Sequence, residues 1–264
     1  MADVSSHSPG TFSWPELATT DQKAAVSFYR ALFDWDVNDQ PIGPADIYSM
    51  FQLRGKEVAA AYTMRTEERQ MGAPPHWNAY VTVANVDEAV KKAQGLGAKV
   101  YAPPFDVMDA GRMAVLQDPT GAVFQLWQPN KHIGAKILNE PGALCWTELS
   151  TRDTKGAEQF YTQLFGWTPK HSGPGSPMEY TEFSNQGRPG VGMMPMNEHI
   201  PAHVPPYWLS YFQVADVDAS TGKARELGAN TLVAPMDIAD AGRFSVVSDP
   251  QGAVFALFAP KSRT

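Results

Sequence analysis

Hydrophobic and polar positions alternate along residues 12–19, which is the pattern of a half-buried strand. Asp21 then offers a helix N-cap, and the apolar positions that follow recur at helical spacing: Ala25, Phe28, Tyr29, Leu32 and Phe33. Two further strand-like segments, residues 47–53 and 57–64, flank an Arg-Gly-Lys turn and predict a hairpin. The predicted order is β-α-β-β, and the Gly- and Pro-containing residues 65–76 are predicted to form a loop.

The next segment follows the same order with one more strand. Residues 77–83 have a strand pattern, and Asp87 opens a helical pattern that stops at Gly95. Three more strands are predicted over residues 99–102, 113–117 and 123–128, and the last two are joined by the turn Asp118-Pro119-Thr120-Gly121. One helix among several strands predicts an α+β unit with its helix outside a sheet.

This whole pattern is repeated in the second half of the chain. Residues 11–37 realign with residues 143–169 at an offset of 132, with 12 identities in 27 positions. Residues 74–129 realign with 205–260 at an offset of 131, with 28 identities in 56. A repeat of this length is a domain. The predicted organisation is a disordered tail over residues 1–10, domains over residues 11–128 and 143–260, and a linker over residues 129–142.

Composition narrows the range of partners. The net charge of −7 and the pI near 5.3 argue against nucleic acid and anionic membranes, because both need a basic surface. No apolar run approaches the roughly 20 residues of a membrane span. Cys145 is the only cysteine, so the chain has no internal disulfide, and we interpret it as a small buried thiol. The polar N-terminus lacks a signal-peptide pattern, which predicts a cytoplasmic protein and leaves secretion without such a signal open.

Two motifs occur in both copies. The ends of the first helices read FYRALFDW and FYTQLFGW, and the turns with their following strands read DPTGAVF and DPQGAVF. Together with W-x-E-L on the first strand, they make the chain resemble the vicinal oxygen chelate superfamily, which includes glyoxalase I, bleomycin-resistance proteins and extradiol dioxygenases. The resemblance implies an α+β fold of four βαβββ modules. These pair into two tandem domains, each with a concave mixed sheet that forms a cup and with helices outside.

The metal-dependent members of that superfamily hold a divalent ion in the cup. The resemblance places the ligand positions at Trp14, Asn78 and Gln125 in the first copy and at Trp146, Leu209 and Ala256 in the second. Tight transition-metal sites need imidazole, thiolate or carboxylate donors, and none of these six side chains supplies one. The histidines fall in the tail, the linker and loops, so they do not replace the missing ligands. We therefore expect no bound metal and no cofactor.

Strand alternation predicts which side chains face each cup. In the first cup they are Trp14, Glu16, Asn78, Tyr80, Gln125 and Trp127, and in the second Trp146, Glu148, Leu209, Tyr211, Ala256 and Phe258. Aromatic walls with few polar anchors are typical of small-molecule pockets. The sequence thus predicts a metal-free protein that binds a small aromatic or hydrophobic metabolite or antibiotic. The two cups should differ in polarity, with residues 65–76 and 197–206 as lids.

Glu16 and Glu148 leave other interpretations open. A carboxylate among apolar walls has a raised pKa and can act as a general base. With such a base, or with the carboxylate as a weak metal ligand, the chain would be a glyoxalase-like lyase, isomerase or hydroxylase-type enzyme. Both copies keep the residue, which equally suits a role in the fold. A third interpretation is an interaction protein with filled cups. Either way we expect the domains to pack as a pseudo-dimer, in a monomer or weak homodimer.

Overall fold

A computed structural model of the chain describes residues 4–44, 46–70, 72–173, 179–198, 200–238 and 241–261. Within these ranges the first sheet has the strands β1 (Phe12–Thr19), β2 (Asp36–Pro41), β3 (Ile47–Leu53), β4 (Lys56–Thr63), β5 (His76–Thr82), β6 (Lys99–Val107), β7 (Gly111–Gln117) and β8 (Val123–Pro129). The second has β9 (Leu144–Thr151), β10 (Thr168–His171), β11 (Thr181–Asn185), β12 (Arg188–Pro195), β13 (Tyr207–Gln213), β14 (Asn230–Ile238), β15 (Gly242–Ser248) and β16 (Val254–Pro260). The helices are α1 (Gln22–Phe33), α2 (Thr66–Gln70), α3 (Val86–Gly95), α4 (Thr154–Phe165) and α5 (Val217–Glu226).

Each sheet is built from two modules that meet at its centre. The strand order is β2-β3-β4-β1-β5-β8-β7-β6 in the first sheet and β10-β11-β12-β9-β13-β16-β15-β14 in the second. The modules join where β1 runs antiparallel to β5, and β9 to β13. The pairs β1–β4 and β5–β8 are parallel. The predicted α+β fold, with four βαβββ modules in two tandem domains, is confirmed.

The first helix of each domain forms as its sequence predicts. The Asp21 carboxylate caps α1 by accepting a hydrogen bond from the Ala24 amide at 3.0 Å, and Asp153 caps α4 in the same way. The apolar stripe of α1 is buried, and it packs on the sheet face that carries Leu17 and Ala61. This leaves the opposite face of each sheet for the cups. Within the described ranges every helix is too short or too polar to span a bilayer.

Buried hydrogen bonds join the two domains reciprocally. Tyr29 on α1 donates to Asp249 in the Asp-Pro-Gln-Gly turn of the second domain at 3.0 Å. Tyr161 on α4 donates to Asp118 in the equivalent turn of the first domain at 2.7 Å. The two large hydrophobic cores likewise each draw residues from both sheets. The contacts are those of a two-fold interface, and they give the repeated FY and Asp-Pro-x-Gly motifs a physical role.

Residues 4–10 of the segment predicted to be a disordered tail lie against both domains, and residues 1–3 lie outside the described residues. The Gly10 amide donates to the Thr82 carbonyl at 2.8 Å, and the Trp167 indole donates to the Gly10 carbonyl at 2.8 Å. The Asn185 amide donates to the Pro9 carbonyl at the same distance. A polar sequence can be ordered in this way when its backbone groups find partners on neighbouring domains.

Two local predictions also need correction. Part of the predicted loop 65–76 forms the short helix α2, where the Glu68 carboxylate accepts a hydrogen bond from the Arg65 amide at 2.7 Å. The predicted order β-α-β-β omits strand β2 and its counterpart β10, because all of their residues are exposed or half-buried at a sheet edge and form no alternating apolar pattern. Backbone pairing with β3 and β11 defines them instead.

Candidate functional site

The residues predicted to face the cups lie together on the sheet faces opposite the helices. We call the first cup the face that carries Trp14, Glu16, Asn78, Tyr80, Gln125 and Trp127, and the second cup the face that carries Trp146, Glu148, Leu209, Tyr211, Ala256 and Phe258. The central register pairs Glu16 with Asn78 in the first and Glu148 with Leu209 in the second. Strand pairing therefore brings each carboxylate to the middle of its cup.

Glu16 is the centre of a buried hydrogen-bond network. Its carboxylate accepts from the Tyr48 hydroxyl at 2.6 Å and from the Tyr80 hydroxyl at 2.8 Å. The Asn78 amide donates a third, longer bond of 3.3 Å. The Trp14 indole donates to the Tyr48 hydroxyl at 3.0 Å, so that this hydroxyl points its own proton at Glu16. Burial raises the pKa of Glu16, and the three hydrogen bonds oppose that shift.

The two amides of the first cup are also satisfied internally. The Gln125 amide nitrogen donates to the Asn78 carbonyl oxygen at 2.7 Å, and the Gln125 carbonyl oxygen accepts from the Ala79 backbone at 3.1 Å. The Tyr62 hydroxyl accepts from Asn78 at 3.3 Å and donates to Glu68 on α2 at 2.7 Å. These amides serve each other and the backbone, so they are poorly placed to orient a ligand.

The linker closes the first cup. The His132 ring lies edge-on against the Trp14 indole, with ring centres 4.4 Å apart, and 5.9 Å from the Trp127 ring. The Trp127 indole donates to the His132 carbonyl at 2.9 Å, and Ala135 is fully buried in the same apolar cluster. Trp14 and Trp127 consequently keep only 4% and 5% of their surface exposed. Residues 130–138 thus form a cover over the first cup.

An ion cluster anchors this cover. The Glu57 carboxylate on β4 lies 2.9 Å from the Lys136 ammonium and 3.6 Å from the His132 ring. The His132 ring, followed by the Lys136 ammonium, lowers the pKa of Glu57 to about 2. On the outer side, the His7 ring lies 2.8 Å from the Ala135 carbonyl, so the N-terminal segment also holds the cover.

The second cup repeats the central network. The Glu148 carboxylate accepts from the Tyr180 hydroxyl and from the Tyr211 hydroxyl, each at 2.8 Å. The Trp146 indole donates to the Tyr180 hydroxyl at 3.0 Å. We call this shared arrangement the Trp–Tyr–Glu–Tyr network. Burial raises the pKa of Glu148, as it does that of its counterpart, against two opposing hydrogen bonds rather than three.

The residues around the second network are smaller or less polar. Leu209 replaces Asn78, Ala256 replaces Gln125, and Met194 replaces Tyr62 at the repeat offsets. The amide pair of the first cup has no counterpart here. Leu209 and Ala256 instead form an apolar cluster with half-buried neighbours, which include Tyr207, Phe244, Val246 and Phe258.

A glycine lets the second network lie close to the sheet. A Cβ atom at Gly192 would collide with the Tyr180 hydroxyl and would lie 2.6 Å from the Trp146 indole nitrogen. The equivalent position in the first cup is Ala60, which is fully buried. Gly192 is therefore required because the two side chains approach the strand closely at this position. Its backbone has the conformation of an ordinary strand.

The two cups differ most in coverage. Trp146 and Phe258 stay half-buried, whereas Trp14 and Trp127 are almost completely covered. In the part of the chain that the structure describes, no ring packs on Trp146 as His132 packs on Trp14. Arg152 holds the neighbouring loop by donating to the Pro201 and Val204 carbonyls at 2.9 and 2.8 Å. The second cup thus presents an aromatic wall at the surface, beside a loop that was predicted to be a lid.

The donor set of neither cup fits a divalent metal. At the ligand positions of the first cup, the Asn78 and Gln125 carbonyl oxygens already accept hydrogen bonds from protein groups. Leu209 and Ala256 have no donor atom. Among the described residues, no group of three or more His, Cys, Asp or Glu side chains is placed to hold an ion. The absence of a metal in the protein remains a prediction for elemental analysis.

Sequence reasoning missed two members of the network, Tyr48 and Tyr180. Tyr48 lies on β3, and Tyr180 directly precedes β11. No ligand position of the superfamily falls on these strands. The signal was nonetheless present, because the offset of 132 pairs one tyrosine with the other. The cover formed by the linker could not be predicted from the repeat in this way.

Comparisons with known proteins agree with this architecture. The family model described as the Glyoxalase/Bleomycin resistance protein/Dioxygenase superfamily matches residues 11–126 and 134–257. "Putative glyoxylase CFP32" of Mycobacterium tuberculosis is 41% identical over 262 residues, covering 98% of each chain. "Anthracycline biosynthesis protein DauV" of Streptomyces sp. strain C5 is 31% identical over 259 residues, covering 94% of this chain and 93% of the relative. The Mn(II)-bound glyoxalase of Novosphingobium aromaticivorans superposes with a TM-score of 0.64 at 15% identity, over 95% of this chain and 82% of that one, which shows the fold alone.

Proposed function

Because the chain belongs to the glyoxalase/bleomycin resistance/dioxygenase superfamily, we propose that it binds a small aromatic or hydrophobic molecule in its second cup without a metal ion. The observation that carries this proposal is the contrast between two cups built on one network. The linker covers Trp14 and Trp127 of the first cup, whereas Trp146 and Phe258 of the second are only half-buried and adjoin the buried Leu209 and Ala256.

The chemistry of the second cup suits a planar ring. Trp146, Tyr211 and Phe258 offer aromatic surface, and stacking one ring is worth about 0.5–1.5 kcal/mol beyond the area that it buries. Leu209 and Ala256 are buried, and their side chains make the interior of the cup apolar without hydrogen-bonding groups. The relatives named for anthracycline biosynthesis support the same class of ligand, since the anthracycline skeleton is a set of fused rings.

Calorimetry and tryptophan fluorescence with a panel of planar aromatic compounds test the proposal. We expect the wild type to bind at least one of them and Trp146→Ala to bind it roughly 2- to 10-fold more weakly, which is the value of one stacked ring. Trp14→Ala is the matched control from the covered cup, and it should bind with wild-type affinity once its folding is verified. Equal losses in both variants, or no binding by the wild type, would contradict the proposal.

A second candidate function is proton transfer by Glu148. The observation in its favour is a buried carboxyl with a raised pKa in a cup with half-buried aromatic walls, and two relatives are named as putative glyoxylases. In this case turnover of a bound substrate would persist in the presence of a chelator. It would be lost in Glu148→Gln and retained in Glu16→Gln.

A further inference from the structure

We infer that the ligand of the second cup presents a protonated amine to Glu148, so that the class of molecule bound is an aromatic or hydrophobic amine. This inference rests on the proposed function and adds to it the charge that the ligand carries. It is drawn from the unused hydrogen-bonding capacity of the network, from the charges around it and from its aromatic walls.

The hydrogens of the network are all committed. The Trp146 indole hydrogen goes to the Tyr180 hydroxyl, and the hydrogens of Tyr180 and Tyr211 go to Glu148. An ionised carboxylate has about four acceptor positions, and the two tyrosines use two of them. What remains free at the centre of the second cup is acceptor capacity, so the complementary ligand group is a donor.

The carboxylate also has no counter-ion of its own. None of the ion pairs among the described residues involves Glu148, and only tyrosine hydroxyls oppose the effect of burial on its pKa. Removing one partner from a buried ion pair is costly because the remaining charge is uncompensated. A ligand that supplies the positive charge would therefore gain a charge-assisted hydrogen bond and would relieve that cost.

A second carboxylate lies on the same side of the sheet. Glu182 follows Tyr180 by two residues and so shares its face, where the first cup has the apolar Met50. Burial, then Glu148 and finally the charge of Glu182 raise the pKa of Tyr180, which places Glu182 within electrostatic reach of the network. Lys170 is opposite Glu182 in the strand register, but it is exposed and forms no ion pair with it among the described contacts.

The walls of the cup favour a cation as well. Indole and phenol faces attract an ammonium group within about 6 Å of the ring. Trp146 precedes Glu148 by two residues on the same face of β9, and the Tyr211 hydroxyl donates to Glu148. The chain as a whole carries a net charge of −7, which raises the local concentration of cations. Hydrogen-bonding capacity, charge and aromatic surface point to the same ligand group.

The first cup supplies the matched control. Glu16 and Glu148 are about equally buried, at 8% and 6% exposed, but Glu16 already accepts a third hydrogen bond from Asn78 and therefore has less free acceptor capacity for a ligand. Glu16→Gln and Glu148→Gln make the same chemical change, and Gln keeps an acceptor for the tyrosine hydroxyls in both. Only Glu148→Gln should alter the preference for a positively charged ligand over a neutral one.

Calorimetry with three naphthalene probes tests the inference. The probes are 1-naphthylmethylamine, 1-naphthalenemethanol and 1-naphthoate, which share a ring and differ in charge. We expect the wild type and Glu16→Gln to bind the amine at least about 10-fold more tightly than the alcohol, and the carboxylate most weakly. In Glu148→Gln the amine and the alcohol should bind within about 2-fold of each other, at the alcohol affinity of the wild type.

Each other outcome has a definite meaning. Equal binding of amine and alcohol by the wild type, or a preference for naphthoate, overturns the amine inference and leaves the proposed aromatic site standing. A preference for the amine that survives in Glu148→Gln also overturns it, because another group would then be the partner. Failure of the wild type to bind any of the three, while it also fails with the wider aromatic panel, overturns the proposed function and this inference together. If Glu148→Gln does not fold, the ratio of amine to alcohol affinity in the wild type and in Glu16→Gln still decides.

Discussion

The first and second cups contain the same Trp–Tyr–Glu–Tyr network in different surroundings. In the first, two amides and a tyrosine surround Glu16 with hydrogen-bonding groups, and the linker covers Trp14 and Trp127. In the second, Leu209, Ala256 and Met194 replace those polar groups, and Trp146 stays half-buried. We infer from this difference that the sheet supports the shared network in both domains. The residues around the network determine whether a cup can receive a ligand.

The comparison also bears on the two glutamates. Their presence in both copies is explained by tyrosine hydroxyls that need an acceptor inside the fold. A repeated carboxylate is therefore no evidence for catalysis by itself. Among the interpretations left open by the sequence, the cover favours a filled cup in the first domain, and the binding site that we propose is the second cup.

The largest expected effect is on stability. Trp14→Ala removes a side chain that is 4% exposed, and it should lower the free energy of unfolding by about 3–5 kcal/mol. Trp146→Ala removes a half-buried ring and should cost clearly less. Chemical denaturation of both variants measures the difference, and equal costs would mean that the second cup is as closed as the first.

A smaller effect is expected where the second network approaches its strand. Gly192→Ala places a Cβ against the Tyr180 hydroxyl and the Trp146 indole, and it should cost about 1–3 kcal/mol by overpacking. Gly190→Ala on the same strand is the control, because its Cβ would have no atom within 4 Å. It should be neutral or stabilise by up to about 1 kcal/mol. Similar losses in both would show that the strand, rather than the network, responds.

Opening the cover should make the first cup resemble the second. His132→Ala removes the ring that lies against Trp14 and Trp127, and it should cost about 0.5–1.5 kcal/mol. Acrylamide quenching of tryptophan fluorescence should increase as Trp14 becomes accessible. His171→Ala, an exposed histidine of the second domain, is the control and should leave quenching unchanged. Unchanged quenching in His132→Ala would show that Ala135 and its neighbours close the cup without the ring.

The dependence of stability on pH tests each of the two carboxyls in turn. Burial raises the folded-state pKa of Glu16 and of Glu148, so the native state holds their protons more tightly than the unfolded state does. Their contribution is therefore fully present below the ordinary value of 4.5, and it is lost as the pH rises through the folded pKa. Chemical denaturation at several pH values measures the free energy of unfolding of the wild type, Glu16→Gln and Glu148→Gln. The stability of the wild type relative to each variant should decline as the pH rises through this range. A difference that rises with pH would reverse the assigned direction.

The smallest effect is expected from metal removal. Because Trp14, Asn78 and Gln125 and their counterparts are poor ligands, treatment with a chelator should leave the melting temperature of both domains unchanged. Elemental analysis of the purified chain should find transition metal well below one ion per chain. A stoichiometric ion that is lost on Glu148→Gln but retained in Glu16→Gln would assign a metal role to the second cup alone.

Most of the fold could be predicted from the sequence, because its elements are defined by local patterns. Asp21 and the apolar stripe predict α1, and alternation places Glu16 and Tyr80 on one face before any contact is known. The cover could not be predicted in this way. His132 lies in a segment with no periodicity, and its contact with Trp14 spans more than a hundred residues. Which cup is open depends on that contact.

The N-terminal segment shows the same limit. Its polar composition predicts disorder when the segment is considered alone, yet Gly10 and His7 bind backbone groups and an indole far along the chain. The partners of Glu16 and Glu148 could be predicted in part. Tyr48 stands on strand β3, which the pattern locates, and Tyr180 directly precedes β11, but only the fold shows that their hydroxyls reach the carboxylates.

The reciprocal hydrogen bonds of Tyr29 with Asp249 and of Tyr161 with Asp118 have a consequence for how such a molecule can evolve. Two identical chains could exchange these contacts equally well, but every mutation would then appear in both halves at once. Fusion of the halves into one polypeptide removes that constraint. One half can retain a sealed, rigid interior that preserves the association, while the other accumulates changes such as Leu209 and acquires a new specificity.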